Sequence, residues 1–290
     1  MMNSVEKTLP WKSESIPWNN IYNMSVLTFL VYDYVKHWKL ETFEKFNNFI
    51  ESNGDNDKLS SNDINMLKDI RSRSPDGSVI KFITNSAGLQ CAVGKNPNEN
   101  RYSIVFRGTE SKWDMLYDML ITKTQLKNNI YVHTGFYRQL NYKNSLQELE
   151  NTVNSCIEEN PTWDWYVTGH SLGAGQATIA GYLLSQKFKN NRWTVVSLAS
   201  PRVGNKPFKE SFNKISNLRC YRVTNHRDLI TSIPYYNYFH VGRTLHYDKN
   251  KKTWHDYGYS PKISYIFYRC WNFYDHPCIN YVNHLKKMID

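Results

Sequence analysis

Ser171 stands at the centre of Gly169-His170-Ser171-Leu172-Gly173, a Gly-x-Ser-x-Gly pentapeptide with an extended run before it and a helical run after it. That is the pattern of a nucleophile elbow. A serine forced onto a sharp strand-to-helix turn has strained backbone angles, and its neighbours two before and two after must lack side chains to avoid collision. The turn lifts the hydroxyl into a cleft, and the helix that starts there directs its positive end at developing negative charge. The chemistry that needs this arrangement is acyl transfer through an activated serine. The pentapeptide alone arises by chance in roughly one chain of this length in ten at ordinary Gly and Ser usage. A plain Gly-containing turn is the competing reading, and context has to decide.

A serine nucleophile requires a base, and the base an acid to orient it; in elbow chains these follow in the order serine, acid, base. Asp228 closes Asn225-His226-Arg227-Asp228, just past a strand-like run at 218–224. It fits the acid, although a loop Asp is more often a turn former or helix cap. Five histidines follow it: His240, His246, His255, His276 and His284. His276, in Tyr274-Asp275-His276-Pro277, lies in a late loop before a terminal helix expected over 280–289, where a returning base belongs, and is the chosen base. His284 falls inside that helix and is the next candidate. Thr109 follows the apolar run Ser103-Ile104-Val105-Phe106-Arg107-Gly108. It can turn a hydroxyl and an N–H toward a cleft at a strand end, or simply serve a turn. His133 reads as a hydrogen-bonded structural histidine.

The elements that must hold these residues are legible in outline. Trp163, Trp165 and Val167 alternate along the strand before the elbow. Ala174, Gly175, Ala177, Thr178, Ala180 and Gly181 are small, so the helix after it can lie close against a sheet. Runs at 79–84 and 89–93 flank a turn at Asn85-Ser86-Ala87-Gly88 and predict an antiparallel hairpin. Buried strands are expected at 103–109, 194–199 and 218–224, and a hairpin over 239–247. Helices are expected over 22–50 (one or two), 137–158 and 280–289. Residues 51–76 are hydrophilic and read as surface. Residues 113–121 form an unusually apolar helix candidate, either packed in a core or a mobile lid over an apolar site; Asp114 and Asp118 share one face, with Trp113, Met115, Leu116 and Met119 over the rest.

Composition narrows the function classes. The 290 residues carry 36 basic and 26 acidic side chains, a net charge of +10. The cations are scattered and no nucleic-acid motif appears, which argues against a nucleic-acid partner but leaves a membrane-surface preference open. Cys91, Cys156, Cys220, Cys270 and Cys278 are dispersed and odd in number, so reduced thiols are the default and metal-ligand spacing is missing. The apolar stretch at 24–34 is too short to span a bilayer. No secretory signal is evident, and together with reduced thiols this favours the cytoplasm. Without a linker or repeat, a single domain over 1–290 is expected, with a loose polar arm at 1–20.

In order, these blocks resemble the class 3 lipases, the fungal-type triacylglycerol lipases and their relatives. The matching segments are Ile104-Val105-Phe106-Arg107-Gly108-Thr109, Val132-His133-Thr134-Gly135-Phe136, the stretch 167–173, Ser200-Pro201-Arg202-Val203-Gly204-Asn205, Arg222-Val223-Thr224-Asn225-His226-Arg227-Asp228, and Tyr238-Phe239-His240-Val241-Gly242. The resemblance implies an α/β-hydrolase fold: a mostly parallel central sheet, helices on both faces and a lid helix. It implies Ser171 as nucleophile, Asp228 as acid and Asp275-His276 as the block bearing the base. It also implies Thr109 and the Leu172 N–H as oxyanion hole, and Trp113, Met115, Leu116 and Met119 in a lid over 111–119. The activity implied is hydrolysis of lipid carboxylic esters at a lipid–water interface, through an acyl-enzyme on Ser171 and without metal or cofactor. Phospholipase A1 and soluble-ester esterase are alternatives within that chemistry. A non-catalytic lipid- or membrane-surface-binding protein is the alternative outside it. Ala174 departs from the second glycine usual after the elbow, and the basic chain without a signal is unlike the secreted fungal enzymes.

Overall fold

Period-two alternation in the strand-like runs builds an eight-stranded sheet in the computed structural model, which describes residues 14–33, 78–108, 122–259 and 272–290. Helix α1 (Trp18–Asp33) precedes β1 (Ser78–Thr84), β2 (Gln90–Asn96) and β3 (Arg101–Phe106). A separate two-stranded ribbon, β4 (Lys123–Lys127) and β5 (Ile130–His133), leads into α2 (Thr134–Asn141) and α3 (Ser145–Glu159). Then come β6 (Asp164–His170), α4 (Leu172–Lys187), β7 (Trp193–Leu198), α5 (Lys206–Phe212), β8 (Leu218–Asn225), β9 (Arg243–Asp248), β10 (Thr253–Gly258) and α6 (Cys278–Lys286). The sheet order is β1-β2-β3-β6-β7-β8-β9-β10. The run from β3 to β9 is parallel, with two antiparallel pairings at one end (β1–β2, β2–β3) and one at the other (β9–β10). This is the expected α/β-hydrolase architecture.

The central strands are buried on both faces, as parallel strands must be. On one side Trp165, Val167, Val195 and Cys220 pack with Ala177, Ala180 and Leu184 of α4, and Trp165 stacks between Tyr102 and Trp193. On the other side Tyr166, Val196, Leu198, Tyr221 and Val223 pack with Ile21 and Met24 of α1 and with Tyr281, Val282 and Leu285 of α6. That second face also carries a polar seam between α1 and β6. Asn20 donates to the Tyr166 hydroxyl (2.7 Å), and Thr28 Oγ1 lies 3.0 Å from Thr168 Oγ1. Tyr32 Oη lies 2.9 Å from His170 Nδ1.

The structure corrects three local expectations and adds one element. The helix expected over 137–158 is two helices, because Lys143 and Asn144 take left-handed angles (φ 49° and 65°). Asn85, from the turn between β1 and β2, donates to the Gln139 carbonyl (2.8 Å) and to Ser145 Oγ (2.6 Å) and so holds the break. The hairpin expected over 239–247 lies later, as β9 and β10: Asp248 Oδ1 accepts from the N–H groups of Asn250 and Lys251 and makes the turn. Residues 14–20 are not loose, since Glu14 pairs with Arg219 (2.7 Å), its carbonyl accepts from Arg243, and Trp18 begins α1 against Trp254. The β4–β5 ribbon, with a polar β4, had no strand-like pattern to announce it. Expectations for 1–13, 34–77 and the lid segment fall outside the described residues.

Among the described residues no helix is long and apolar enough to cross a membrane. Cys91, Cys156 and Cys220 are free and buried, and Cys278 is buried. Burial pushes the Cys220 thiol up to about 12 and Cys156 up to about 11, so both stay protonated and inert.

Candidate active site

β6 ends at His170, α4 begins at Leu172, and Ser171 makes the whole turn between them with φ 60° and ψ −124°. Its N–H is held by the Leu198 carbonyl at the end of β7 (2.9 Å). The spacing of the two glycines is steric. A Cβ on Gly169 would lie 2.4 Å from the Gly173 carbonyl oxygen, and one on Gly173 would lie 2.5 Å from the Phe106 carbonyl oxygen at the end of β3. Side chains at either place would push the elbow away from the sheet. Leu172 opens α4, so its N–H is among the first-turn donors that have no acceptor inside the helix.

Asp228 lies in the loop after β8 and caps the short 3-10 turn Leu229–Ser232, accepting from the Ile230 N–H (3.0 Å). Its other oxygen accepts from Tyr281 Oη of α6 at 2.6 Å. His276 follows the 3-10 turn Phe273–Asp275, which is stitched to the acid's loop by a bridge between Asp228 and Asn272. Asn225 adds a bond from its side chain to the Asp275 carbonyl (2.8 Å). The result brings three sequence-chosen residues into one hydrogen-bonded line. His276 Nδ1 lies 2.9 and 3.0 Å from the two Asp228 oxygens, and Nε2 lies 3.0 Å from Ser171 Oγ. A carboxylate only accepts, so Nδ1 carries the proton and Nε2 presents a lone pair to the serine hydroxyl. Asp228 and Ser171 are buried, while the His276 side chain keeps 12% of its surface exposed.

The other histidines that follow Asp228, and His133, lie elsewhere. His240 lies 2.8 Å from the Thr231 carbonyl and 3.0 Å from Arg222 Nη2; desolvation and the Arg222 charge hold it well below the usual imidazole range. His246 lies 2.9 Å from Thr224 Oγ1, and His255 lies 3.3 Å from Thr253 Oγ1. His284, the second choice for the base, stacks on Tyr247 at 3.9 Å between centroids. His133 is fully buried and stacks on Phe136 at 4.1 Å. Thr109 and the lid residues Trp113, Met115, Leu116 and Met119 lie outside the described residues. Among the described residues, no three His, Cys, Asp or Glu side chains converge as a metal site.

Sequence reasoning missed the groups behind the line. Tyr281 bonds to Asp228 and accepts from the Asn225 N–H (3.1 Å), and burial with the Asp228 charge keeps its phenol protonated far above the usual range. Arg222 is buried beneath the acid's loop, with Nη2 3.4 Å from the Thr231 carbonyl, and burial brings its guanidinium down to about 10. Neither residue stands in a pattern that marks it in the sequence, because each role depends on a partner from another element.

Residues 103–238 match the family model described as Lipase (class 3). The match spans a little under half of the chain, and over it the chain is similar to the class 3 lipases. A lipase of Rhizopus niveus is 27% identical over 166 residues, which cover 55% of this chain and 42% of that protein. A chloroplastic phospholipase A(1) of Arabidopsis thaliana is 31% identical over 150 residues, covering 45% of this chain and 33% of its own length. The chain thus aligns with less than half the length of these curated relatives. A solved lipase from Rhizopus microsporus var. chinensis superposes with TM-score 0.70 at 20% identity, covering 93% of this chain and 92% of that one. A triacylglycerol lipase described as having a serine protease triad at its catalytic centre superposes with TM-score 0.71, also at 20% identity, covering 91% of this chain and 94% of that one. These likenesses establish that the chain has their fold.

Proposed function

We propose that this protein is a serine carboxylic-ester hydrolase acting on lipid esters, with Ser171 as nucleophile, His276 as base and Asp228 as orienting acid. The observation that carries the reading is the unbroken hydrogen-bonded line from Ser171 Oγ through His276 to buried Asp228, at an elbow whose two glycines are sterically required. His276 Nε2 takes the hydroxyl proton as Ser171 attacks the ester carbonyl; Asp228 fixes the tautomer and stabilises the imidazolium. The same imidazolium then protonates the leaving alcohol, and water, activated in turn by His276, releases the acid from the acyl-serine. The Leu172 N–H at the start of α4 faces the charge that develops on the carbonyl oxygen, with Thr109 as second donor; removal of one such donor typically lowers the rate about 10²–10³-fold.

The relatives include both lipases and phospholipases A1, names that share a fatty acyl ester as the bond acted on. An acylglycerol or phospholipid at a lipid–water interface is therefore the substrate class proposed, with the segment at 111–119 as its lid. The charge of +10 suits peripheral association with an anionic surface.

The test is hydrolysis of p-nitrophenyl butyrate and palmitate by wild type, Ser171→Ala and His276→Ala. Both variants are expected to lose activity by about 10⁴-fold or more. Retention of activity in His276→Ala with loss in His284→Ala would move the base, and a wild type inert on emulsified lipid would favour a lipid-binding protein. The ratio of the two esters separates lipase from soluble-ester esterase, and release of fatty acid from phosphatidylcholine separates phospholipase from both.

A further inference from the structure

His170 occupies the first variable position of the elbow pentapeptide, yet its ring lies under the base rather than in solvent. The rings of His170 and His276 are 4.6 Å apart between centroids. His170 Nε2 lies 2.7 Å from the backbone carbonyl of His276, and Nδ1 lies 2.9 Å from Tyr32 Oη. A carbonyl only accepts, so Nε2 carries the proton. Burial and the neighbouring His276 hold His170 well below the usual imidazole range, so the ring is neutral and Nδ1 must accept. Tyr32 therefore donates. The directed chain runs from the Tyr32 hydroxyl to Nδ1, and from Nε2–H to the carbonyl of the base.

We propose that Tyr32 and His170 form a positioning pair that holds the loop of the general base in register with Ser171. The proposal rests on His276 acting as the base. That residue sits on a short turn, and its own N–H is satisfied by the Phe273 carbonyl. The bond from His170 fixes the carbonyl on the other side of its Cα. Because the catalytic contact is only 3.0 Å long, a shift of the loop by about 1 Å breaks it, and misplacements of that size lower rates about 10²-fold. The tyrosine is itself held tightly. A Cβ on Gly108 would lie 2.2 Å from Tyr32 Oη and 2.3 Å from the His170 carbonyl oxygen, so the hydroxyl is wedged against the exit of β3 toward Thr109. The Arg107 guanidinium lies 5.7 Å from the Tyr32 ring centroid and also bonds to Gln90 (2.7 Å). One hydroxyl from α1 thus braces the base loop and the strand end that leads to the oxyanion candidate.

The pair is separable from the docking of α1. Thr28 bridges to Thr168, and Ile21, Met24 and Leu30 pack into the core, so α1 stays in place without the Tyr32 hydroxyl. Tyr32→Phe, His170→Leu and His170→Gln test this. The glutamine keeps an amide donor that can reach the His276 carbonyl. Each protein is titrated with a fluorophosphonate to count reactive serines, and kcat and KM on p-nitrophenyl butyrate are expressed per titrated site. Tyr32→Phe is expected to lose about 3- to 10-fold in kcat, the effect of one hydrogen bond, with KM unchanged. His170→Leu should lose about 10²-fold, and His170→Gln should recover most of that loss. A purely structural role would lower thermal stability and leave kcat per site alone. Wild-type kcat per site in Tyr32→Phe, or no advantage of glutamine over leucine, would overturn the pair while leaving Ser171 and His276 standing. A wild type that takes up no fluorophosphonate would overturn the hydrolase reading and the pair with it.

Discussion

Acidification should unfold this protein through histidines buried in their neutral form, and His246 allows the size of the effect to be worked out. Burial first, and the Arg222 charge second, bring its imidazole down to about 4. In the unfolded chain the same group titrates near 6.5. A folded value below the unfolded one means that the unfolded state binds the proton more tightly. The stabilisation is therefore full above pH 6.5 and is lost as the pH falls toward 4. At pH 5 the unfolded imidazole is almost fully protonated and the folded one about one-tenth protonated, so the loss from this residue alone is about 2 kcal/mol. For a chain of this size that is a fall in Tm of roughly 4–8 °C. His284, also brought down to about 4, is half exposed and adds a smaller, solvent-screened increment of the same sign. His170 and His240 titrate in the same direction. The assay is the Tm by circular dichroism at pH 7.5, 6 and 5, at constant ionic strength, for wild type and His246→Asn. Asparagine keeps an acceptor near Thr224 Oγ1 and cannot charge, so its Tm should fall less steeply between pH 6.5 and 5. Parallel pH slopes for the two proteins would refute the reasoning for His246, and a flat wild-type slope would refute it for the whole set.

Two substitutions probe the framework of the site. Gly173→Ala places a methyl group 2.5 Å from the Phe106 carbonyl oxygen and 2.8 Å from the Arg107 backbone, neither of which can rotate away. A loss above about 4 kcal/mol is expected, read as a collapse of Tm or of soluble yield. Tyr281→Phe removes a donor from the buried Asp228 carboxylate and an acceptor from the Asn225 N–H. Guanidinium denaturation should show about 2–4 kcal/mol of lost stability, most of it from a charged bond and a stranded N–H, with kcat falling alongside. An unchanged denaturation midpoint would mean that Asp228 does not depend on that phenol.

What could be read from the chain alone followed from sterics and chain order. Glycines at 169 and 173 are dictated by atoms within the turn and at the adjacent strand end, and so the pentapeptide announced its own geometry. Asp228 and His276 were found because parallel strands β6, β7 and β8 lie side by side in sequence order, which delivers successive strand-end loops to one edge. The braces were not legible for a different reason. Tyr32 is 138 residues from His170, and Tyr281 is 53 from Asp228, so their pairing depends on α1 and α6 lying on the same face of the sheet. Any donor of suitable reach would serve, and residue type therefore gives no clue.

The one trace lay in β6. Alternation assigned Trp165 and Val167 to one face of a strand buried on both sides, which necessarily put Tyr166, Thr168 and His170 on the other. Three polar side chains in succession on a buried face require partners, because each unsatisfied group would lose about 1–3 kcal/mol. The partners come from Asn20, Thr28 and Tyr32, all from α1, with the last of them next to the nucleophile. An apolar strand face would have held α1 against the sheet by burial alone and left its register free to slide. The polar seam fixes the register, and a fixed register is what allows a hydroxyl at the end of a helix to set the position of the base.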